Sequence, residues 1–196
     1  RVENYPPRDG KMTPPEAARL PDGIAKVKAR DGKLFIDDDG SITLPEIKAE
    51  ATRMHRTKDI KLMVVDYIQL MTPPKAENRN LEIGEISRGL KLLAKRLDIP
   101  IIAVAQMSRA IETRGGSDRR PQLSDLRDSG SLEQDADVVI FLHDPANYDL
   151  DKEPDGMTEV IVAKNRKGRT DTTKLGYVRK YSSFQHIPDK PSEEGS

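Results

Sequence analysis

The stretch Lys61-Leu62-Met63-Val64-Val65-Asp66-Tyr67-Ile68-Gln69-Leu70-Met71 constrains the fold more than any other part of the chain. Four apolar residues running into a single acid suit a strand buried on both faces, the state of a parallel sheet covered by helices. Asp66 then emerges at the carboxyl end of that strand, where open α/β sheets bind their ligands. A carboxylate in that place can sit near the magnesium of a bound triphosphate. It can equally be a turn residue that ends the strand. The run alone leaves both readings open.

Composition narrows the setting. Only 35% of the 196 residues are hydrophobic and 34% are charged, so one core must be concentrated in a few segments. Lysine plus arginine equal aspartate plus glutamate at 33 each. Bulk charge therefore singles out neither a nucleic-acid binder nor an acidic surface, and any such site is local. The absence of cysteine excludes disulfides and cysteine-bound zinc, and fits a reducing compartment. The apolar runs near 100–105 and 138–142 are too short to span a bilayer, and the amino end lacks the apolar core of a signal peptide. The expectation is a soluble, cytoplasmic chain with no membrane partner. His55, His143 and His186 are scattered without ligand spacing, so none is assigned to metal or catalysis.

The alternation of elements points to an α/β fold. Residues 1–23 hold five prolines and read as a loosely structured lead-in, with a helix starting near Thr13 and running through Glu16 to Leu20. Lys33 to Ile36 reads as a short strand halted by Asp37-Asp38-Asp39-Gly40. Thr43 with Glu46 makes a capping box, and Leu44, Ile47, Ala51 and Met54 share one helical face. After a polar loop, Ile86, Leu90, Leu93 and Leu97 recur at helical spacing until Pro100. Ile101 to Ala105 is a second buried strand, leading to Gln106. Residues 107–124 read as a long polar loop with Gly115-Gly116 and several arginines, among them Arg109, Arg114, Arg119 and Arg120. A short helix over Ser131–Asp135 precedes a strand at Val138–Leu142, and Glu159–Phe184 reads as two or three strands around a turn at Lys167-Gly168. The sum is a mostly parallel sheet with helices on both faces and an antiparallel carboxyl-terminal hairpin.

One part of a nucleotide site is missing from this sequence. A phosphate-cradling loop reads Gly-x-x-x-x-Gly-Lys-Ser/Thr. Gly10-Lys11 and Gly32-Lys33 are followed by Met12 and Leu34, and no glycine stands at the required distance before either. Read from the residues alone, the chain is an α/β sheet whose function stays undecided.

Five blocks taken in order carry a resemblance that decides more. They are Val64–Met71, Asn78–Lys91, Ala105–Arg109, Ser124–Asp137 and Ala163–Gly168. Together they resemble the RecA-like motor domain of DnaB-type replicative DNA helicases over roughly residues 24–184, leaving 185–196 as a flexible tail. The Ser124–Asp137 block is the most specific of them, while a strand ending in Asp is shared by many ATPases. The resemblance implies a partial RecA-like P-loop NTPase core. Its phosphate loop, and the acid that activates the hydrolytic water, are expected before Arg1.

The same resemblance implies roles. Asp66 holds the magnesium of ATP, and Gln106 senses the terminal phosphate, an amide being able to accept from water and donate to phosphate. Lys164 and Arg166 reach across a subunit boundary to the neighbour's ATP and stabilise charge on the transferred phosphoryl group. Arg127, Asp128 and Gly130 line the pore and grip the backbone of single-stranded DNA, with Asp128 standing where relatives often carry glutamate. Tyr67 and Gln69 are packing or supporting positions. The implied assembly is a homohexamer using ATP and Mg2+, moving 5′ to 3′, with primase and a helicase loader as partners. This segment alone is expected to be inactive as an ATPase. Two alternatives stay open: another RecA-like ATPase such as a recombinase or phage motor, and a non-enzymatic remnant that binds a ring or single-stranded DNA.

Overall fold

The computed structural model describes residues 14, 18–28, 32–73, 79–107, 111, 120–145, 156–178 and 181–187, with the backbone alone at 20, 27, 28, 79 and 127–130. The described elements, in order, are α1 (Leu20–Lys28), α2 (Leu44–Lys58), β1 (Met63–Val65), α3 (Arg79–Leu97) and β2 (Ile101–Ala103), then α4 (Gly130–Asp135), β3 (Val138–His143), β4 (Met157–Asn165), β5 (Asp171–Val178) and β6 (Ser183–Gln185). Short 3-10 helices occupy Ile68–Leu70 and Leu123–Ser129.

The capping box that starts α2 is formed as its sequence requires. Thr43 Oγ1 accepts from the Glu46 N–H at 3.4 Å, and the Glu46 carboxylate accepts from the Thr43 N–H at 2.8 Å. The Thr43 contacts hold the Glu46 carboxyl below its ordinary pKa. The helix ends at Asp59, whose left-handed φ of 52° lets its N–H reach the His55 carbonyl. Helix α3 buries Ile83, Ile86, Leu90, Leu93 and Leu97 along one stripe. That stripe joins Ile47 and Ala51 of α2 and Ile68, Met71 and Ile99, with Met63, Val65 and Ile101 of the parallel strands packed against the cluster. Gly89 is what lets α2 come so near. A Cβ there would stand 2.3 Å from Leu44 Cδ2.

Strands β1 and β2 run parallel, in the register Met63 to Ile101, Val64 to Ile102 and Val65 to Ala103. Strands β3, β4, β5 and β6 form a four-stranded antiparallel sheet in chain order. The expected hairpin turn at Lys167-Gly168 joins β4 to β5, and β6 is the third strand of that region.

Several expectations are corrected. Leu34, Phe35 and Ile36 form no strand, and Ile36 is 82% exposed. A strand needs a neighbour to take its hydrogen bonds, and none lies beside this one among the described residues. Of the helix expected from near Thr13 to Leu20, residues 13 and 15–17 lie outside the described residues, while Pro14 is helical and its carbonyl accepts from the Ala18 N–H at 3.0 Å; a further helix runs over Leu20–Lys28. Ile102, Ala103 and Val104 are exposed and not fully buried. Their side of the parallel pair is open among the described residues, with Val64 at 55% and Ile102 at 52% exposure. On β3 likewise, Val139, Phe141 and His143 point inward while Val138, Ile140 and Leu142 are exposed. Gly115-Gly116, Arg109, Arg114 and Arg119 lie outside the described residues. No described helix is long and apolar enough to cross a membrane.

Candidate nucleotide and nucleic-acid site

Because β1 and β2 are parallel and in register, both chains leave the sheet at the same edge. Asp66 follows Val65 directly, and Gln106 follows β2 at that edge. The strands stay joined past their formal ends, since Val104 donates to the Val65 carbonyl at 2.9 Å and Ile68 donates to the Val104 carbonyl at 3.0 Å. Asp66 and Gln106 are both exposed there, and the Asp66–Tyr67 peptide is cis.

Gln69 fixes the Gln106 backbone from both sides. Its Nε2 donates to the Gln106 carbonyl at 3.1 Å, and its Oε1 accepts from the Gln106 N–H at 3.4 Å. Neither bond uses the Gln106 side-chain amide. The sequence marks Gln69 as a packing or supporting position, and here it supports Gln106. Its actual work depends on the strand register, which puts residue 69 opposite residue 106 and which no local pattern shows.

The second group of candidate residues gathers around α4. A bulge between Val139 and Ile140 shifts the pairing so that Val139 faces Lys164 and Val138 faces Asn165. Lys164 and Arg166 then turn towards α4, as two residues on one face should. Lys164 Nζ donates to the Glu133 carbonyl. The Arg166 guanidinium donates to the Gln134 carbonyl at 2.5 Å and to Asp137 Oδ1 at 3.3 Å. These carbonyls belong to the last turn of a helix, where backbone acceptors lack helical partners. Among the described residues, no hydrogen bond or ion pair joins Lys164 or Arg166 to Asp66 or Gln106. One group thus stands at the β1–β2 edge and the other beside α4.

Arg127 and Asp128 lie in the 3-10 helix Leu123–Ser129, and Gly130 is the first residue of α4. The backbone of this segment is therefore helical. Buried Asp125 explains part of this, since its carboxylate accepts from the Gln122 N–H at 2.7 Å while its own N–H donates to the Gln122 carbonyl. Arg120, an exposed cation from the expected basic loop, is paired with Glu159 at 2.9 Å.

Asp137 is a further residue that the sequence did not single out. Its Oδ2 accepts from Lys91 of α3 and its Oδ1 from Arg166. The Lys91 hydrogen bond, then the charges of Lys91, Arg166 and Lys167, hold its carboxyl below the ordinary aspartate range. A depressed folded value stabilises above the unfolded pKa and is lost as pH falls through the folded one. The cluster should thus survive acidification past the midpoint of an unpaired aspartate. A carboxyl-carbon NMR titration of Asp137 checks this, and a midpoint at or above that of an unpaired aspartate contradicts it.

Known proteins resemble this chain over most of its length. The family model described as the DnaB-like helicase C terminal domain matches residues 1–186. A replicative DNA helicase DnaB from Mycobacterium leprae (strain TN) is 44% identical over 181 residues, which are 92% of this chain and 29% of that protein. One from Geobacillus stearothermophilus is 39% identical over 182 residues, 92% of this chain and 39% of that protein. The chain thus spans well under half the length of these relatives. A solved DnaB-like replicative helicase, described with its interactions with primase, superposes with a TM-score of 0.82 at 34% identity, covering 92% of this chain and 44% of that one. With residues 1–186 matched by the family model, this chain belongs to the DnaB-like helicase C-terminal domain family, built on the RecA-like ATPase fold.

Proposed function

We propose that this chain is the carboxyl-terminal part of the motor of a replicative DNA helicase that works in the cytoplasm as a homohexamer. Asp66 holds the Mg2+ of ATP, and Gln106 reads the terminal phosphate from the same sheet edge. The phosphate cradle packs on the exposed side of the parallel pair, which bears Val64 and Ile102. Lys164 and Arg166 serve the ATP of the adjacent subunit. Arg127, Asp128 and Gly130 hold the backbone of one DNA strand, so that hydrolysis carries the ring 5′ to 3′ and excludes the other strand. Primase and a helicase loader are its partners.

One observation carries most of this reading. Asp66 and Gln106 share an edge, while the cations lie on a separate hairpin tied to α4. Cations fixed to α4, with no hydrogen bond or ion pair to Asp66 or Gln106 among the described residues, suit a catalytic cleft built between two subunits. The test uses the full-length protein containing these residues on a forked duplex. Unwinding that needs ATP and Mg2+ and disappears in Asp66→Asn is expected. Binding of single-stranded DNA without turnover favours the non-enzymatic reading instead, and strand exchange without unwinding favours a recombinase.

A further inference from the structure

We infer that Asp137 is a positioning residue for Arg166, fixing the guanidinium so that its remaining donors face the neighbouring subunit. The inference rests on the reading of Arg166 as the cross-subunit cation. Arginine has five N–H donors on a long flexible stem, and a cation stabilises a transition state only where its geometry is set in advance. Here the stem is fixed at several points. The Arg166 N–H donates to the Asp137 carbonyl at 2.9 Å, the side chain reaches Asp137 Oδ1 at 3.3 Å, and it also reaches the Gln134 carbonyl at 2.5 Å.

Asp137 is itself anchored from the other side. Lys91 of α3 takes its second oxygen, and Ser87, one turn earlier, donates to Asp135 Oδ2 at 2.8 Å. Gly84 completes the stripe, because a Cβ there would lie 2.6 Å from Ser131 Oγ. Positions 84, 87 and 91 share one helical face. This face of α3 therefore seats α4 and Asp137, and through them the cation. The start of α4 is the proposed DNA-gripping segment and its end holds Lys164 and Arg166, so one short helix links the strand to the catalytic cation.

The pair between Asp137 and Arg166 is exposed, with 58% and 47% of the two side chains accessible. Such pairs add little to stability. Its loss should register in turnover and not in melting, which separates positioning from scaffolding. In the full-length helicase, Asp137→Asn is expected to lower DNA-stimulated kcat about tenfold with KM for ATP and the melting temperature unchanged. In the double variant with Arg166→Ala, kcat should be no lower than in Arg166→Ala alone. If Asp137→Asn melts early, Lys91→Ala replaces it. That variant keeps Asp137 but removes its anchor, and should show a smaller loss that again vanishes on the Arg166→Ala background. Wild-type kcat in both Asp137→Asn and Lys91→Ala overturns the inference while leaving the role of Arg166 standing, and so do losses that multiply in the double variant. Wild-type turnover in Arg166→Ala itself overturns the reading of the cation, and this inference with it.

Discussion

Arg166→Ala in the full-length ring is expected to leave ATP binding intact and to lower DNA-stimulated turnover by about 10³-fold, the scale of a cation supplied to phosphoryl transfer from outside the site. The competing explanation is structural, because Arg166 also satisfies the Gln134 carbonyl at the end of α4. A mixed-ring experiment separates the two. Subunits carrying Asp66→Ala are combined with subunits carrying Arg166→Ala, each inactive alone. If Arg166 acts across the boundary, some interfaces pair an intact Asp66 from one subunit with an intact Arg166 from the next. Activity should then return in part as the two are mixed. If Arg166 serves its own subunit, every site lacks one group whatever the mixture, and no activity returns. Flat activity across all mixing ratios therefore removes the cross-subunit assignment. Parallel melting curves for the wild-type and Arg166→Ala rings show that the end of α4 tolerates the loss.

How much of this could be read from the residues depended on the range of the interactions. The α2 cap was legible because Thr43 and Glu46 are three residues apart and need nothing else. The buried stripe of α3 was legible because helical periodicity is local. The shared edge of Asp66 and Gln106 followed once both runs were taken as parallel strands. By contrast, the pairing of Gln69 with Gln106 spans 37 positions, and that of Lys91 with Asp137 spans 46. Such contacts are set by register and packing, for which a single sequence has no signature. The strand expected at Lys33–Ile36 failed for the same reason in reverse. Its residues have strand character, but strand formation depends on a neighbour that sequence cannot supply. The helical form of 123–129 was hidden because the side chain of Asp125 starts it, in a stretch whose serines, aspartates and glycine otherwise favour turns.

Leu93→Ala is expected to destabilise the fold by about 3 kcal/mol and to lower the melting temperature by roughly 6–12 °C, while Leu92→Ala next to it stays within about 0.5 kcal/mol. The two leucines have the same chemistry and differ only in where the helix points them. Leu93 is 1% exposed in the centre of the core, and Leu92 is 57% exposed. Removing Leu93 leaves a cavity that α2 cannot close easily, since Gly89 and Leu44 are already in tight contact. The consequence should reach both groups of candidate residues. The core face of α3 supports Met63 and Val65 just before Asp66, and its Gly84–Ser87–Lys91 stripe seats α4 and Asp137. Hydrogen exchange should therefore quicken at β1, β2 and α4 together in Leu93→Ala and at none of them in Leu92→Ala. Faster exchange confined to α3 would mean that the nucleotide edge and the cation pair do not share this helix as their common support.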